Sequence, residues 1–168
     1  MIVEIKKLNE KAQIPFKKYD SDFCYDCVAT SVEEIAPNVY KYGLGFALSI
    51  VRDDEPITRE FSQCFSAVNE VRFPFQLSPC KLSIDIRPRS SVYKTGMILA
   101  NTTGTVDESY RGEICCIFYH VMPDMPKYEV GDRIAQLKLG FTLPIDFKEV
   151  DELGATERGD GGFDSTGK

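Results

Sequence analysis

The residue types best suited to chemistry lie in one polar segment, NTTGTVDESYRGE, at positions 101–113. Its glycines and small polar residues favour a β-hairpin turn between two predicted strands. Such a turn would offer the Asn101 amide to a base edge, the Asp107 carboxylate to a water molecule, and the Tyr110 ring to a sugar. The alternative is a solvated surface turn, and this segment alone does not decide between the two.

Three further segments carry groups that suit phosphate oxygens. The segment RPRSS at 87–91 follows a predicted strand and combines arginines with hydroxyls and backbone N–H groups. The segment GDRIAQL at 131–137 opens another strand, and its Asp132 or Gln136 could equally be structural. The glycine-rich stretch at 154–168 ends in GFDSTGK at 162–168, which has the glycine and lysine spacing of a P-loop but lacks the Ser or Thr and the helix that follow it in a P-loop. We therefore interpret it as a flexible tail that closes over phosphates, or as disordered chain.

The elements that position these segments are predicted to be β-strands. Alternating or continuous apolar stretches, mostly separated by Gly, Pro, Asn or Asp, lie at 2–6, 44–51, 82–86, 95–99, 114–121 and 134–139. One helix is predicted, at about 60–71. This pattern favours an all-β sandwich or jelly roll. We expect a single domain at 1–153, with an insertion at about 52–79, followed by the tail.

Composition and charge limit the classes of function. The chain has 168 residues, of which 43% are hydrophobic, and this is typical of one globular domain. Its net charge of −6 disfavours nucleic-acid binding, because the long-range field repels a polyanion. The N-terminal residues do not resemble a signal peptide, and no stretch approaches the roughly 20 apolar residues of a membrane span. We therefore expect a soluble, cytoplasmic protein that contacts no membrane. A small anionic substrate remains compatible with this charge only if a few cations and a metal reverse the field at the site.

The cysteines raise the alternative of a zinc site. Cys24 and Cys27 form a C-x-x-C pair, but Cys115 and Cys116 are adjacent in a predicted strand and would point to opposite faces. A reducing cytosol disfavours disulfides. We therefore expect buried apolar thiols.

Taken in order, these segments resemble the five motifs of the trimeric dUTP pyrophosphatase (dUTPase) family. The segment DFCYDCVA at 22–29 resembles the first motif, with Asp26 at its aspartate, and PRSS at 88–91 resembles the second. The third, fourth and fifth motifs are similar to residues 104–113, 131–137 and 158–167. The resemblance implies a β jelly roll and a homotrimer. It also implies active sites at subunit interfaces, with the tail of one chain capping a site formed by others.

The resemblance also assigns roles in hydrolysing dUTP to dUMP and pyrophosphate, which keeps uracil out of DNA and supplies dUMP for thymidylate synthesis. Asp107 would deprotonate the water that attacks the α-phosphorus, and the Tyr110 ring would exclude ribose. The residues assigned to the base and sugar are Asn101, Gly104, Thr105, Val106, Tyr110 and Phe163. Those assigned to the phosphates are Arg89, Ser90, Ser91, Gln136, Arg158, Ser165 and Thr166. Mg²⁺ chelated by the phosphates would be held through water, with Asp26 the nearest carboxylate.

Three positions depart from the family pattern. Ser91 replaces a glycine, Cys27 replaces an apolar residue, and Asp164 places a carboxylate in the tail where the family has glycine. Two other functions remain open. One is a dCTP deaminase of the same fold, and the other is a nucleotide-gated regulatory protein that binds an unknown protein partner through the insertion at 52–79.

Overall fold

The computed structural model describes residues 2–51, 81–142 and 145–159. Within those ranges the regular elements are ten β-strands and one short 3₁₀ helix, η1 (Ser90–Lys94). The strands are β1 (Ile2–Lys7), β2 (Tyr25–Val28), β3 (Ser31–Ala36), β4 (Val39–Gly43), β5 (Phe46–Val51), β6 (Lys81–Pro88), β7 (Met97–Leu99), β8 (Gly104–Val106), β9 (Cys115–His120) and β10 (Arg133–Thr142). The predicted insertion and helix lie outside the described residues. None of the described helices is long and apolar enough to cross a membrane.

The strands form two four-stranded sheets and one strand pair, all antiparallel. The strand orders are β2-β10-β6-β8 in one sheet, β3-β4-β9-β7 in the other, and β1-β5 in the pair. One hydrophobic core contains residues of both large sheets, including Ile86 and Leu137 from the first and Phe118 and Leu99 from the second. The two sheets therefore pack face to face as a sandwich, which confirms the all-β prediction.

An aromatic cluster at the centre of the core anchors the chain that leads into β10. The ring of Phe118 contacts those of Tyr42 and Tyr128 edge to face, with centroid distances of 5.8 and 5.4 Å. The Tyr42 hydroxyl donates a hydrogen bond of 2.9 Å to the Tyr128 carbonyl. Burial raises the pKa of Tyr42 to about 12, so the hydroxyl is a neutral donor at physiological pH. The aromatic core thus positions the chain just ahead of the 131–137 segment.

The six predicted strands are confirmed as β1, β5, β6, β7, β9 and β10. The prediction missed β2, β3, β4 and β8. In β3 all six residues are exposed, so the strand carries no alternation between buried and exposed positions. β8 has only three residues, too few for a periodic pattern. β3 and β8 therefore form through pairing with their neighbours, a tertiary effect that local sequence does not encode.

The predicted hairpin turn at 101–113 is wrong in its local form. β7 and β9 are antiparallel neighbours, with Met97 opposite His120, but the chain between them does not turn back at once. It crosses to the other sheet, where β8 pairs with β6 and Gly104 lies opposite Ile86. Val106 packs against the core there, and this burial favours pairing of β8 with β6 over a solvated turn. The segment consequently joins the two sheets.

The buried-thiol prediction is confirmed for two of the four described cysteines. Cys27 and Cys116 lie in the core, and burial raises the pKa of both thiols, that of Cys116 to about 12. Both are therefore neutral thiols at physiological pH. For Cys24 and Cys115 the prediction is wrong, because each is only half-buried.

Candidate active site

A cavity of about 400 Å³ opens beside the 101–113 segment, and we call it the 101–113 pocket. Both large sheets contribute to its walls, because β8 has crossed from one to the other. Its lining residues are Lys41, Ile86, Leu99, Asn101, Gly104, Thr105, Val106, Asp107, Tyr110, Glu113, Ile114, Cys115 and Cys116. Its volume lies in the range typical of small-molecule sites, and its apolar floor and polar rim are also typical of them.

The Asn101 side chain lies against β8 because Gly104 leaves room for it. A Cβ atom added at Gly104 would lie only 3.0 Å from Asn101 Nδ2. The turn between them places Thr102 at a φ of 52°, in the left-handed region. The Thr105 hydroxyl donates a 3.3 Å hydrogen bond to the Asp85 carboxylate on β6. An amide and the backbone of a short strand thus lie side by side on the pocket wall.

The Tyr110 ring lies at the rim of the pocket and is about half exposed, at 48%. Its hydroxyl donates a 3.1 Å hydrogen bond to the Glu113 carbonyl, and its backbone N–H donates one of 3.0 Å to the Asp107 carbonyl. Glu113 accepts a 2.8 Å hydrogen bond from the Gly45 N–H, which ties this end of the segment to the turn before β5. The ring is therefore anchored at both its backbone and its hydroxyl.

The Asp107 carboxylate lines the same pocket and is exposed. Within the described part of the chain it has neither a hydrogen bond nor an ion pair. An unengaged carboxylate can hold a water molecule and accept its proton. Asp107 is thus the group in this pocket best placed to act as a general base.

Gly112 controls the position of the Tyr110 ring. A Cβ atom added at Gly112 would lie 2.5 Å from Tyr110 Cζ, so one of the two must move. The obstacle is the end of a side chain, so we expect the ring to shift while the backbone holds. If the Tyr110 ring packs on a deoxyribose, as the resemblance implies, Gly112→Ala should weaken discrimination between deoxyribose and ribose nucleotides about tenfold, with a loss of unfolding free energy below about 1 kcal/mol.

The effect of Gly112→Ala is measured as the ratio of kcat/KM for dUTP and UTP, beside thermal unfolding. An unchanged ratio in Gly112→Ala would show that the ring position does not set this selectivity.

A second group of polar side chains, which we call the Asp26 cluster, consists of Asp26, Arg89, Arg133 and Gln136. Arg89 forms a two-point ion pair with Asp26, with Nε 2.8 Å from Oδ1 and Nη2 3.2 Å from Oδ2. Arg133 Nη1 lies 3.0 Å from Oδ2, and Gln136 Nε2 lies 3.2 Å from Oδ1. Four donor atoms thus engage both carboxylate oxygens of Asp26, whose side chain is 11% exposed. Two arginines against one carboxylate leave a net positive charge.

Strand order explains why the members of the Asp26 cluster meet. β10 lies between β2 and β6, and its Gln136 is directly opposite Asp26 on β2. Arg89 follows the end of β6 and precedes η1 in extended conformation, with a φ of −74° and a ψ of 155°. Arg133 opens β10. Neighbouring strand ends thus bring together residues that are 63 to 110 positions apart in the chain.

Ser90 and Ser91 begin η1 beside this cluster. Ser91 Oγ accepts a 3.3 Å hydrogen bond from Arg89 Nη1. Among the described non-glycine residues a positive φ occurs only at Asn38 and Thr102, so Ser91 has an ordinary backbone conformation. Its replacement of the family glycine therefore causes no backbone strain.

Comparison with known proteins identifies the family. The family model described as dUTPase matches residues 45–167. Two curated relatives are named deoxyuridine 5'-triphosphate nucleotidohydrolase. That of Clostridium novyi is 35% identical, covering 97% of this chain and 96% of its own. That of Nautilia profundicola is 32% identical, covering 100% of both.

The chain belongs to the dUTPase family.

Solved dUTPase structures share the fold and confirm the predicted jelly roll. The dUTPase of Staphylococcus bacteriophage 80alpha, solved with dUpNHpp, has a TM-score of 0.69 at 21% identity, covering 99% of each chain. It is described as controlling the transfer of virulence genes by a G protein-like mechanism, a property of that phage protein. A mutant dUTPase of phage phi11, described as coordinating a structural Mg(II) ion, has a TM-score of 0.61 at 17% identity, covering 92% of this chain and all of its own.

The dUTPase motifs fall into two separate groups on this chain. The 101–113 pocket contains Asn101, Gly104, Thr105, Val106, Asp107 and Tyr110. Asp26, Arg89 and Gln136 line another pocket, and no residue lines both. Arg158 lies in an exposed, irregular segment at 145–159. Phe163, Asp164, Ser165 and Thr166 lie outside the described residues.

Sequence reasoning missed Arg133 as a member of the site. Arg133 lies within the matched fourth motif, GDRIAQL at 131–137, between the predicted candidates Asp132 and Gln136. Its charge beside Asp132 could have marked it as a phosphate ligand. Instead it binds the Asp26 carboxylate while remaining about half exposed, at 46%.

Proposed function

We propose that this chain hydrolyses dUTP to dUMP and pyrophosphate. The observation that carries the proposal is the exposed, unengaged Asp107 carboxylate on a pocket that also presents an amide, a strand backbone and an aromatic ring. Membership of the dUTPase family supports the same conclusion. The cellular consequences would be the exclusion of uracil from DNA and the supply of dUMP for thymidylate synthesis.

Uracil is recognised by hydrogen bonds in the 101–113 pocket. The backbone groups of Gly104, Thr105 and Val106 and the amide of Asn101 offer donors and acceptors to the base edge. Tyr110 packs its ring on the deoxyribose, where a 2′-hydroxyl would collide with it. This arrangement selects uracil over other bases and deoxyribose over ribose.

The reaction is an in-line displacement at the α-phosphorus. Asp107 accepts a proton from the attacking water, and the water oxygen forms a bond to the α-phosphorus. The bond from that phosphorus to the bridging oxygen breaks, so pyrophosphate leaves and dUMP remains. The protein needs only to position the water and balance charge, which accounts for most of phosphoryl-transfer catalysis.

The triphosphate is bound by the Asp26 cluster and the segments beside it. Arg89 and Gln136 contact phosphate oxygens, and the hydroxyls and backbone N–H groups of Ser90 and Ser91 add donors. Asp26 holds the guanidinium groups of Arg89 and Arg133 in place through three hydrogen bonds and the Gln136 amide through a fourth. From the tail at 154–168, Arg158, Ser165 and Thr166 close on the phosphates, and Phe163 stacks on uracil.

Mg²⁺ would be bound mainly by the substrate phosphates, with Asp26 the protein carboxylate that would contact it through water. The described residues hold no group of three or more His, Cys, Asp or Glu side chains that could bind a metal. Asp26 already accepts four hydrogen bonds, about the full capacity of a carboxylate, so it does not fit direct ligation, and contact with a metal-bound water would replace one of these bonds. Bound Mg²⁺ supplies charge neutralisation on the phosphates.

The two groups of site residues complete each other across a subunit interface. The 101–113 pocket of one subunit and the Asp26 cluster of a second form one site, and the tail of a third covers it. The separation of the two pockets on one chain supports this arrangement, as do the exposed apolar side chains of Phe147 and Leu153 in the segment before the tail. The assembly is a homotrimer with three such sites.

The proposed activity is tested by incubating the protein with dUTP, dTTP, dCTP or UTP and measuring pyrophosphate release. We expect release from dUTP alone, its loss on chelation of Mg²⁺, and its return when Mg²⁺ is restored. Ammonia is measured in the dCTP samples. Ammonia release from dCTP without pyrophosphate release from dUTP would contradict the proposal in favour of a deaminase.

A further inference from the structure

A wall of the pocket beside the Asp26 cluster comes from residues 16–19, which precede all five matched motifs. Phe16 and Asp26 pair as an antiparallel bridge: the Asp26 N–H donates a 2.7 Å hydrogen bond to the Phe16 carbonyl, and the Phe16 N–H returns one of 3.2 Å. Lys17 and Lys18 directly follow this bridge and line the pocket. The residue whose carboxylate positions Arg89 thus also fixes, through its backbone, the chain from which the two lysines follow.

The loop that carries these lysines has its own hydrogen bonds. The Tyr19 N–H donates a 3.1 Å hydrogen bond to the Asp22 carboxylate, and the Asp22 N–H donates one of 3.0 Å to the Tyr19 carbonyl. Lys17 Nζ donates a 3.0 Å hydrogen bond to the Asp20 carbonyl. The loop therefore returns to Asp26 as a closed turn.

The charge in this pocket is positive and only partly compensated. Four cationic side chains line it, Lys17, Lys18, Arg89 and Arg133, against the carboxylates of Asp22 and Asp26. Asp26 is shared by both arginines. Neither lysine forms an ion pair with a carboxylate of the described residues. The chain as a whole has a net charge of −6, so this local excess of cations indicates a pocket that can bind an anion of several charges.

Aromatic rings hold the two ammonium groups without neutralising them. Lys17 Nζ lies 5.1 Å from the centroid of the Tyr25 ring, and Lys18 Nζ lies 5.0 Å from that of Tyr19. A ring attracts a cation through its quadrupole and leaves the charge available to a second, anionic partner. Both lysines are therefore pre-positioned for an anion.

We propose that Lys17 and Lys18 form a subsite for the pyrophosphate group, as the terminal phosphates of the substrate and then as the leaving product. The inference rests on the proposed function, because the adjacent Arg89 and Gln136 bind the phosphates there. The lysines bind the β- and γ-phosphates and do not contact the α-phosphate, which remains in dUMP. They stabilise the charge that accumulates on pyrophosphate as it leaves.

The test compares sodium pyrophosphate and dUMP as ligands of the full chain. Their dissociation constants are measured by isothermal titration calorimetry for wild type, Lys17→Ala, Lys18→Ala and the double variant. Lys11→Ala is the matched control, because Lys11 is exposed on the same N-terminal segment and does not line the pocket. Thermal unfolding of each variant verifies that the fold is intact.

We expect each single variant to weaken pyrophosphate binding about five- to tenfold, as one partly exposed charge contact is lost. The double variant should lose more, and dUMP binding should change less than about twofold in every variant. The difference between wild type and double variant should shrink as salt rises, because the lost contacts are electrostatic.

Failure of this inference and failure of the proposed function give different results. Wild-type protein that binds pyrophosphate but releases none from dUTP would contradict the proposed function and leave the subsite standing. Normal dUTP hydrolysis together with unchanged pyrophosphate binding in the double variant would overturn the subsite alone. Equal weakening of pyrophosphate and dUMP binding would also overturn it, because it would show a general change of the pocket.

Discussion

Replacing Asp107 with asparagine should lower kcat for dUTP by about 100- to 10,000-fold, the range for loss of a general base, while KM changes less than about threefold. Asparagine keeps the size of the side chain and one acceptor oxygen, but it replaces the other oxygen with an NH₂ donor and cannot accept a proton from water. The Asp107 carboxylate is exposed and unengaged within the described chain, so its replacement breaks no structural contact. The measurement is steady-state pyrophosphate release with Mg²⁺ present.

Glu108→Gln is the matched control for this substitution. Glu108 is adjacent and its replacement removes the same charge, but it does not line the 101–113 pocket. We expect its kcat to remain within about twofold of wild type. An Asp107→Asn enzyme with normal kcat and a raised KM would show that Asp107 binds substrate and that another group activates the water.

Mixing two inactive variants should restore activity if each site is shared between subunits. One variant is Asp107→Asn, which disables the 101–113 pocket, and the other is Arg89→Gln, which disables the Asp26 cluster. In randomly reassembled trimers, a site that takes Asp107 from one subunit and Arg89 from the next is intact in about a quarter of cases. We therefore expect about one quarter of wild-type activity from two preparations that have almost none.

If each site lies within one subunit, mixing restores no activity, because every subunit in the mixture carries one defect. The required control is the double variant Asp107→Asn/Arg89→Gln mixed with either single variant, which leaves no intact site in either geometry. Light scattering establishes the mass of the reassembled particles. A monomer mass, or activity no higher than that of the separate variants, would contradict the shared site.

The sequence predicts the fold class and most strands because their information is local. β9 (Cys115–His120) and β10 (Arg133–Thr142) carry dense apolar stretches that define them without reference to neighbours. β3 (Ser31–Ala36) is exposed throughout and exists because it pairs with β4. β8 (Gly104–Val106) likewise depends on pairing with β6, so the path of the 101–113 segment between the two sheets could not be predicted.

The candidate site also has features that the sequence predicts and features that only the fold shows. The order and spacing of the motifs predict the residue types of the site, including Asp107, Arg89 and Gln136. The spacing of residues within one motif is a local property of the chain. The partners of Asp26 are different, since Arg89 and Arg133 lie 63 and 107 positions away and reach it only through the strand order β2-β10-β6.

By itself, therefore, the sequence determined that this is an all-β member of the dUTPase family and which short segments carry its chemistry, because periodicity and motif spacing are properties of contiguous residues. Only the tertiary structure decided that Asp26 is fully engaged by its neighbours and that Lys17 and Lys18 share its pocket. It also decided that the motif residues lie in two separate pockets on one chain. The physical reason is that these relations depend on strand pairing between distant parts of the chain, which no local pattern records.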